Sequence, residues 1–247
     1  MIKKVATYLS FLVLLVFLAV LYGFSSNRNG AKKVLKPVVE FKAGDNNFLT
    51  HSMVDKLLIQ NQEFVKNQPK RVLDLHFLEA NVSANPYVEK ADVFLTIEGV
   101  LKTVIKQRTP IARVVDKEKS FYVDKYGVKI PLSLNFSARV PLVSGVGDSE
   151  EIKELTTLIK AIESNDFLVK EIIAIQKNAK NEYVFTVRSG DYKIVFGEFK
   201  NVDVKFKKLI AFYNKALADK TINNYKTINV KYHNQVVCTK QNQDGKQ

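Results

Sequence analysis

The longest apolar run of the chain comes first: Val5 to Phe24 carries no charged side chain. At a helical rise of about 1.5 Å per residue, a run of this length spans about 30 Å, the thickness of a bilayer's hydrocarbon core. Tyr8 and Tyr22 stand near its ends, where amphipathic rings favour the headgroup region. The pattern predicts a transmembrane helix over residues 5–24, after a short head (1–4) that bears Lys3 and Lys4. A cleaved secretory signal has a shorter apolar core and a small-x-small cleavage site. The GFSSNRNGAKK that follows offers no such site, so the helix is expected to stay as an anchor, with a polar, basic linker over 25–36.

Beyond the linker the apolar spacing changes. Val34 to Lys42 reads as a strand, in which Pro37 suits an edge or a strand start. Thr50 can cap a helix over HSMVDKLLIQ, with Met53, Leu57 and Leu58 on one face. Asp74 can cap another in which Leu75, Leu78 and Val82 share a face, and Asn85-Pro86 stops it. Two strands follow, YVEKADVFLTIEG and VLKTVIKQRTP, turning at Gly99. Their apolar positions are Val88, Phe94 or Leu95, Ile97, Val100, Val104 and Ile105. The order strand, helix, helix, strand, strand predicts a small α+β domain, two helices on one face of a three-stranded sheet.

From Pro110 the pattern restarts with short extended runs, IARVVD, SFYVDKYGVKIPLS and RVPLVSG, broken by Gly127, Pro131 and Pro141. Asp148 and Glu151 form a capping-box signature before a helix whose apolar face is Ile152, Leu155, Ile159 and Ile162. Three strands are expected over EIIAIQK, EYVFTVRS and DYKIVFGEF. Asn201 is the expected cap of a longer helix with Val202, Phe206, Leu209, Ile210, Tyr213 and Leu217 on one side. The last expected strand, Lys226 to Val237, alternates: Ile228, Val230 and Tyr232 on one face, Thr227, Asn229, Lys231 and His233 on the other. The nine residues after it are polar. The fold class is therefore α+β: an anchor helix, a small β-α-α-β-β domain (37–109), a mixed β-sheet domain with flanking helices (110–238) and a polar tail (239–247).

Charge adds one constraint. The 247 residues carry a formal net charge of +13, which favours an acidic partner surface. Arginine stands only at positions 28, 71, 108, 113, 139 and 188. Lysine supplies the rest, and it lacks the planar fork that suits phosphate and base recognition, so nucleic acid is not the expected partner. Cys238 is the single cysteine, which excludes an internal disulfide but not export.

Catalytic signatures are missing. His51, His76 and His233 are scattered, with no metal-ligand spacing. No GxSxG, SxxK, Walker A or GxGxxG sequence occurs. The SGVGDS run at 144–149 could offer helix-terminal amides to an anion but lacks the Lys-Ser/Thr of a P-loop. Glu150 and Glu151 fall in a helix first turn, where the helix dipole explains them. No catalytic residue, metal or cofactor is expected.

Three stretches carry a family resemblance. Residues 78–114 resemble the second half of a POTRA domain of FtsQ/DivIB proteins, through Glu79, Asn85-Pro86, Val88, Ala91, Val93 and then Arg108-x-Pro110-x-Ala112. Residues 121–133 and 139–145 look like the opening of that family's β-domain, through Asp124, Gly127 and Pro141-Leu142. Residues 228–240 look like its closing strand in the Bacteroidota-type form.

The resemblance implies a divisome scaffold in the inner membrane, with its N-terminus in the cytoplasm and its folded domains in the periplasm. Charge alone argues otherwise, since Arg28, Lys32, Lys33 and Lys36 outnumber the lysines before the helix. Large domains, however, cross largely regardless of charge. The implied partners are small bitopic coiled-coil proteins of the FtsB/FtsL type, and the implied role is control of septal peptidoglycan synthesis. Strand addition to the last strand would expose Tyr225, Thr227, Asn229, Lys231, Tyr232 and His233 as contact residues. If Tyr232 instead shares the core parity of Ile228 and Val230, Lys231 and His233 face outward. The alternative is a POTRA-bearing periplasmic chaperone for outer-membrane proteins.

Overall fold

Helix α1 (Ile2–Gly30) begins the computed structural model. The model describes residues 2–35, 37–42, 48–60, 63–64, 68–116 and 119–241, with backbone only for 2–7, 59–60 and 63–64. Within α1, Tyr8–Gly30 is 23 residues long and apolar enough to cross a membrane, and none of it is buried. The linker expected from residue 25 starts later. Ser25 to Gly30 continue the helix, because each residue added to an existing helix gains a hydrogen bond without a new nucleation cost. The expected linker end at Lys36 lies outside the described residues.

The chain forms two units, Met1–Gln107 and Arg108–Gln247. In the first, β1 (Val38–Phe41) is followed by α2 (His51–Leu57) and a two-strand ribbon, β2 (Ile59–Gln60) and β3 (Glu63–Phe64). Then come α3 (Leu75–Ser83), β4 (Val88–Leu95) and β5 (Leu101–Gln107). The main sheet runs β1-β5-β4, with β1 parallel to β5 and Pro37 just before the edge strand. Both helices start at side-chain caps. Thr50 accepts from the Met53 amide at 3.3 Å and Asp74 from the Phe77 amide at 2.9 Å. Val54, Leu58, Leu78 and Val82 meet Val88, Val93, Leu101 and Ile105 in one core.

Three expectations for this unit need correction. Helix α2 ends at Leu57, and Ile59–Gln60 pair with Glu63–Phe64 instead of continuing it. Ile97 is no core residue but 90% exposed, because it sits in the turn where the Gly99 amide donates to the Thr96 carbonyl. Val104 also lies off the core face, which alternates through Ala91 and Val93 on β4 and through Leu101, Thr103 and Ile105 on β5; of Phe94 and Leu95, it is Leu95 that packs against the core.

The second unit is one nine-stranded mixed sheet with helices. Its first strands are β6 (Pro110–Asp116), β7 (Lys119–Asp124), β8 (Lys129–Pro131) and β9 (Leu142–Ser144). Helices α4 (Ser149–Glu163) and α5 (Asp166–Glu171) precede β10 (Ile172–Lys177), β11 (Tyr183–Val187) and β12 (Lys193–Gly197). Helix α6 (Val202–Ala218) leads into β13 (Tyr225–Asn229) and β14 (Val237–Lys240). The strand order is β14-β13-β12-β11-β10-β9-β6-β7-β8. Ile152, Leu155, Ile159 and Ile162 of α4 and Phe206, Leu209 and Tyr213 of α6 join the strands' buried residues in one core. Phe185, Phe196 and Phe206 cluster there, with ring centroids 5.0–6.3 Å apart.

The Asp148 capping box forms as the sequence suggests. Asp148 accepts from the Glu151 amide at 2.8 Å, and Glu151 accepts from the Gly147 amide at 2.9 Å. The Glu151 amide of the first turn and the Gly147 amide before it are thus taken by the chain's own carboxylates. Gly145, at φ +77°, lies so close to the Lys177 carbonyl that no Cβ would fit.

Here too the structure differs from the expectations. Helix α5 is unanticipated; its Asn165 cap accepts from the amides of Phe167 and Leu168. Asn201 is not a side-chain cap but a left-handed residue at φ 51°, a conformation asparagine tolerates. Leu217 is exposed, and Ala216 takes the inward position. The single strand expected over 226–237 is two strands, and the polar tail starts later, since β14 extends to Lys240. Residues 242–247 of that tail lie outside the described residues.

Candidate partner-binding edge

The last two strands close one end of the nine-stranded sheet. β13 lies between β12, to which it is parallel, and β14, to which it is antiparallel. Thr227 pairs with Lys193 on one side and Thr239 on the other, and Asn229 with Val195 and Val237. The backbone of residues 225–229 is therefore interior to the sheet, which corrects the expectation of an open edge along 227–233. Among the described residues, the open edge at this end is the outer side of β14.

The break between the two strands is built from side chains. The Asn229 carboxamide accepts from the Lys231 amide at 3.1 Å and turns the chain out of the strand. From α6, the Lys208 ammonium donates to the carbonyls of Val230 (3.0 Å), Tyr232 and His233 (3.2 Å). Three carbonyls gathered on one cation hold this turn against the helix. Lys231 reaches Glu182 at 3.3 Å.

Of the six sequence-predicted contact residues, Tyr225 is half-buried, its ring 5.4 Å from that of Phe212 at 60°. Thr227 and Asn229 sit side by side on the sheet with half-buried side chains. Lys231, Tyr232 and His233 are brought together on the exposed turn, and Tyr232 at 44% exposure is not a core residue. Sequence reasoning missed β14 as the outermost strand, with Val237, Thr239 and Lys240 exposed and Cys238 half-buried. The polar run His233-Asn234-Gln235 before the apolar Val236-Val237 was the available turn signal.

The electrostatics of this end are lopsided. From Lys200 to Gln241 there are nine lysines and two aspartates. Lys205 is buried, donates to the Glu198 carbonyl at 2.6 Å and lies 4.7 Å over the Phe196 ring, and burial pulls its pKa down. Lys226 and Lys240 stay exposed along β13 and β14. Burial pushes the Cys238 thiol up, keeping it from the thiolate form a nucleophile needs.

A buried polar cluster lies elsewhere in the same unit. Glu171 accepts from Ser189, from Tyr192 at 3.2 Å and from Tyr213 at 3.3 Å. Burial raises both phenols, so they remain protonated donors to the carboxylate. This network satisfies itself and joins α5, α6 and the β11–β12 turn. Among the described residues no group of histidine, cysteine and carboxylate side chains is placed to hold a metal ion.

Comparison with known proteins bears on this unit. The sequence pattern of the family described as FtsQ/DivIB, C-terminal related, matches residues 109–239. Among solved structures, a similar chain is the major extracytoplasmic domain of the trans isomer of the bacterial cell division protein DivIB from Geobacillus stearothermophilus. It is 16% identical, the match covers 47% of this chain and 98% of that one, and the TM-score is 0.33. No curated protein matches the sequence.

Proposed function

The chain belongs to the FtsQ/DivIB, C-terminal related family of bacterial cell-division proteins, and on that premise we propose that it is a non-enzymatic scaffold of the division machinery. Helix α1 anchors it in the inner membrane, with the two folded units on the periplasmic side. The first unit, with α2 and α3 between strands β1 and β4 of its three-stranded sheet, is a POTRA domain. The second binds small single-pass coiled-coil proteins of the FtsB/FtsL type, and through them the chain takes part in regulating septal peptidoglycan synthesis.

The observation that carries this reading is the outer side of β14. An extended segment can add there as a tenth strand, with main-chain hydrogen bonds for affinity and alternate side chains for selectivity. Lys226 and Lys240 flank the edge and favour an acidic segment, speeding encounter more than they deepen affinity. Tyr225, Thr227 and Asn229 support the edge from the neighbouring strand. Lys231, Tyr232 and His233 form the turn at its end.

Photocrosslinking from membranes tests the proposal, with a photoreactive residue at Thr239 of the full-length protein and a second at the exposed Lys129 of β8 as control. Recovery of small single-pass coiled-coil proteins from Thr239 and not from Lys129 is expected. Recovery of outer-membrane protein precursors instead would replace the scaffold reading with the chaperone one.

A further inference from the structure

Where α1 leaves the expected bilayer, the first unit gathers an unusual surface. The apolar run ends at Phe24, and Ser25–Gly30 add about 9 Å of helix at the usual rise. The headgroup layer on one side of a bilayer is about 5–7 Å deep, so Gly30 emerges at its outer boundary. There the chain meets a distant segment. Lys33 bridges to Pro69, the Lys70 amide donates to the Lys32 carbonyl at 2.9 Å, and the Val34 amide donates to the Gln68 carbonyl at 2.8 Å. A Cβ on Gly30 would lie 3.4 Å from the Arg71 Cβ.

The β4–β5 turn joins the same place. The Lys70 ammonium donates to the Ile97 carbonyl at 3.1 Å, and the Leu35 amide donates to the Gly99 carbonyl at 2.9 Å. Five cations from two separated stretches (Arg28, Lys32, Lys33, Lys70 and Arg71) thus surround the helix exit. Set among them are three exposed apolar side chains: Ile97 at 90%, Val72 at 52% and Leu35 at 50%. The acidic residues nearest in the chain are Glu98 beside Ile97 and Asp74, whose carboxylate caps α3.

We propose that this face docks on the membrane, with Arg28, Lys32, Lys33, Lys70 and Arg71 on anionic lipid headgroups and Ile97 inserted at the headgroup boundary. The inference rests on α1 crossing the bilayer. Exposed apolar tips ringed by cations match the interfacial layer, where apolar side chains sink and lysine and arginine stems reach toward phosphate. Because α1 is unbroken to Gly30, the face is held within reach of lipid and need not be recruited from solution. Docking limits the tilt of the first unit on its anchor.

The test uses the full-length chain carrying Cys238→Ser, reconstituted in nanodiscs, with an environment-sensitive fluorophore at Ile97→Cys or, separately, at Leu15→Cys. Lipids with a spin label in the headgroup or in the tail serve as quenchers. In discs of phosphatidylglycerol the Ile97 position is expected to be quenched by headgroup label and shielded from iodide. In phosphatidylcholine discs or at 1 M salt that quenching falls, since each cation contributes about fivefold to anionic-surface affinity. The Lys70→Glu/Arg71→Glu pair reduces it too, and the salt titration reads the same term without a substitution. If Leu15 is quenched by tail label but Ile97 is not quenched by headgroup label, docking is overturned while the anchor stands. Shielding of Ile97 from iodide without headgroup quenching means that a protein covers the face, and also overturns it. Failure of tail quenching at Leu15 overturns the anchor and the docking together.

Discussion

The two ends of the nine-stranded sheet are opposites. At one end β8 has three residues, closes on Pro131, which has no amide to offer, and is tied down by a buried ion pair. Arg108 donates to Asp124 at 2.7 Å, and the other Asp124 oxygen accepts from the amides of Tyr126 and Val128 at 2.9 Å each. At the other end β14 has four residues, no proline, and two exposed lysines nearby. Short strands, lysines and proline are the ordinary ways to keep a sheet edge from recruiting another chain. β14 has Lys240 but no proline, whereas β8 closes on Pro131, so the edges are not equivalent, and β14 is the one offered to the proposed partner.

The comparison can be broken at either end. Asp124→Ala breaks a buried pair and takes away the acceptor of the Arg108 guanidinium and of the Tyr126 and Val128 amides, which costs about 3–5 kcal/mol. A denaturant melt of the second unit should show that loss, with self-association through the unmoored β8 edge following it. Thr239→Pro strikes β14, where a proline removes a main-chain donor and fixes the backbone of the edge strand. Partner affinity should fall by about tenfold or more in a binding titration, while Lys129→Pro at the exposed position of β8 leaves it within about twofold.

Smaller changes sharpen the contrast. Lys208→Ala strips the cation from three carbonyls and should cost about 1–3 kcal/mol, seen as faster amide exchange at residues 231–235. Reversing Lys226 and Lys240 to glutamate should slow association about tenfold at low salt, with the difference vanishing as salt rises. The smallest effect is in pH. The Gly147 amide, with further help from Asp148 and Lys177, holds the Glu151 carboxyl below its ordinary 4.5. A depressed carboxyl stabilises the fold above its unfolded value and loses that contribution as pH falls through the folded one. Glu151→Gln should therefore flatten stability against pH below about 4.5 and leave partner binding at neutral pH unchanged.

The parts of this molecule that were legible in the sequence are those decided locally. Thr50, Asp74 and the Asp148–Glu151 box each announce a helix within four residues, and each forms. The short strands from Pro110 onward were marked by their own glycines and prolines. The candidate edge was harder because its cause is partly non-local. The alternation from Thr227 continues through Tyr232, so periodicity alone extends the strand; what ends it is the Asn229 carboxamide on the Lys231 amide, with Lys208 of another element holding the turn. Ile97 misled in a different way: an apolar residue beside a strand reads as core, whereas its position in the turn makes it surface.

The continuation of α1 to Gly30 has a mechanical meaning. Successive residues of a helix are turned by about 100°, and a helix without a break transmits that angle along its length. Whichever side of α1 is held thereby fixes the compass heading of the first unit. A flexible linker would have left the anchor as a tether that sets only distance; the continuous helix makes it a shaft that also sets direction.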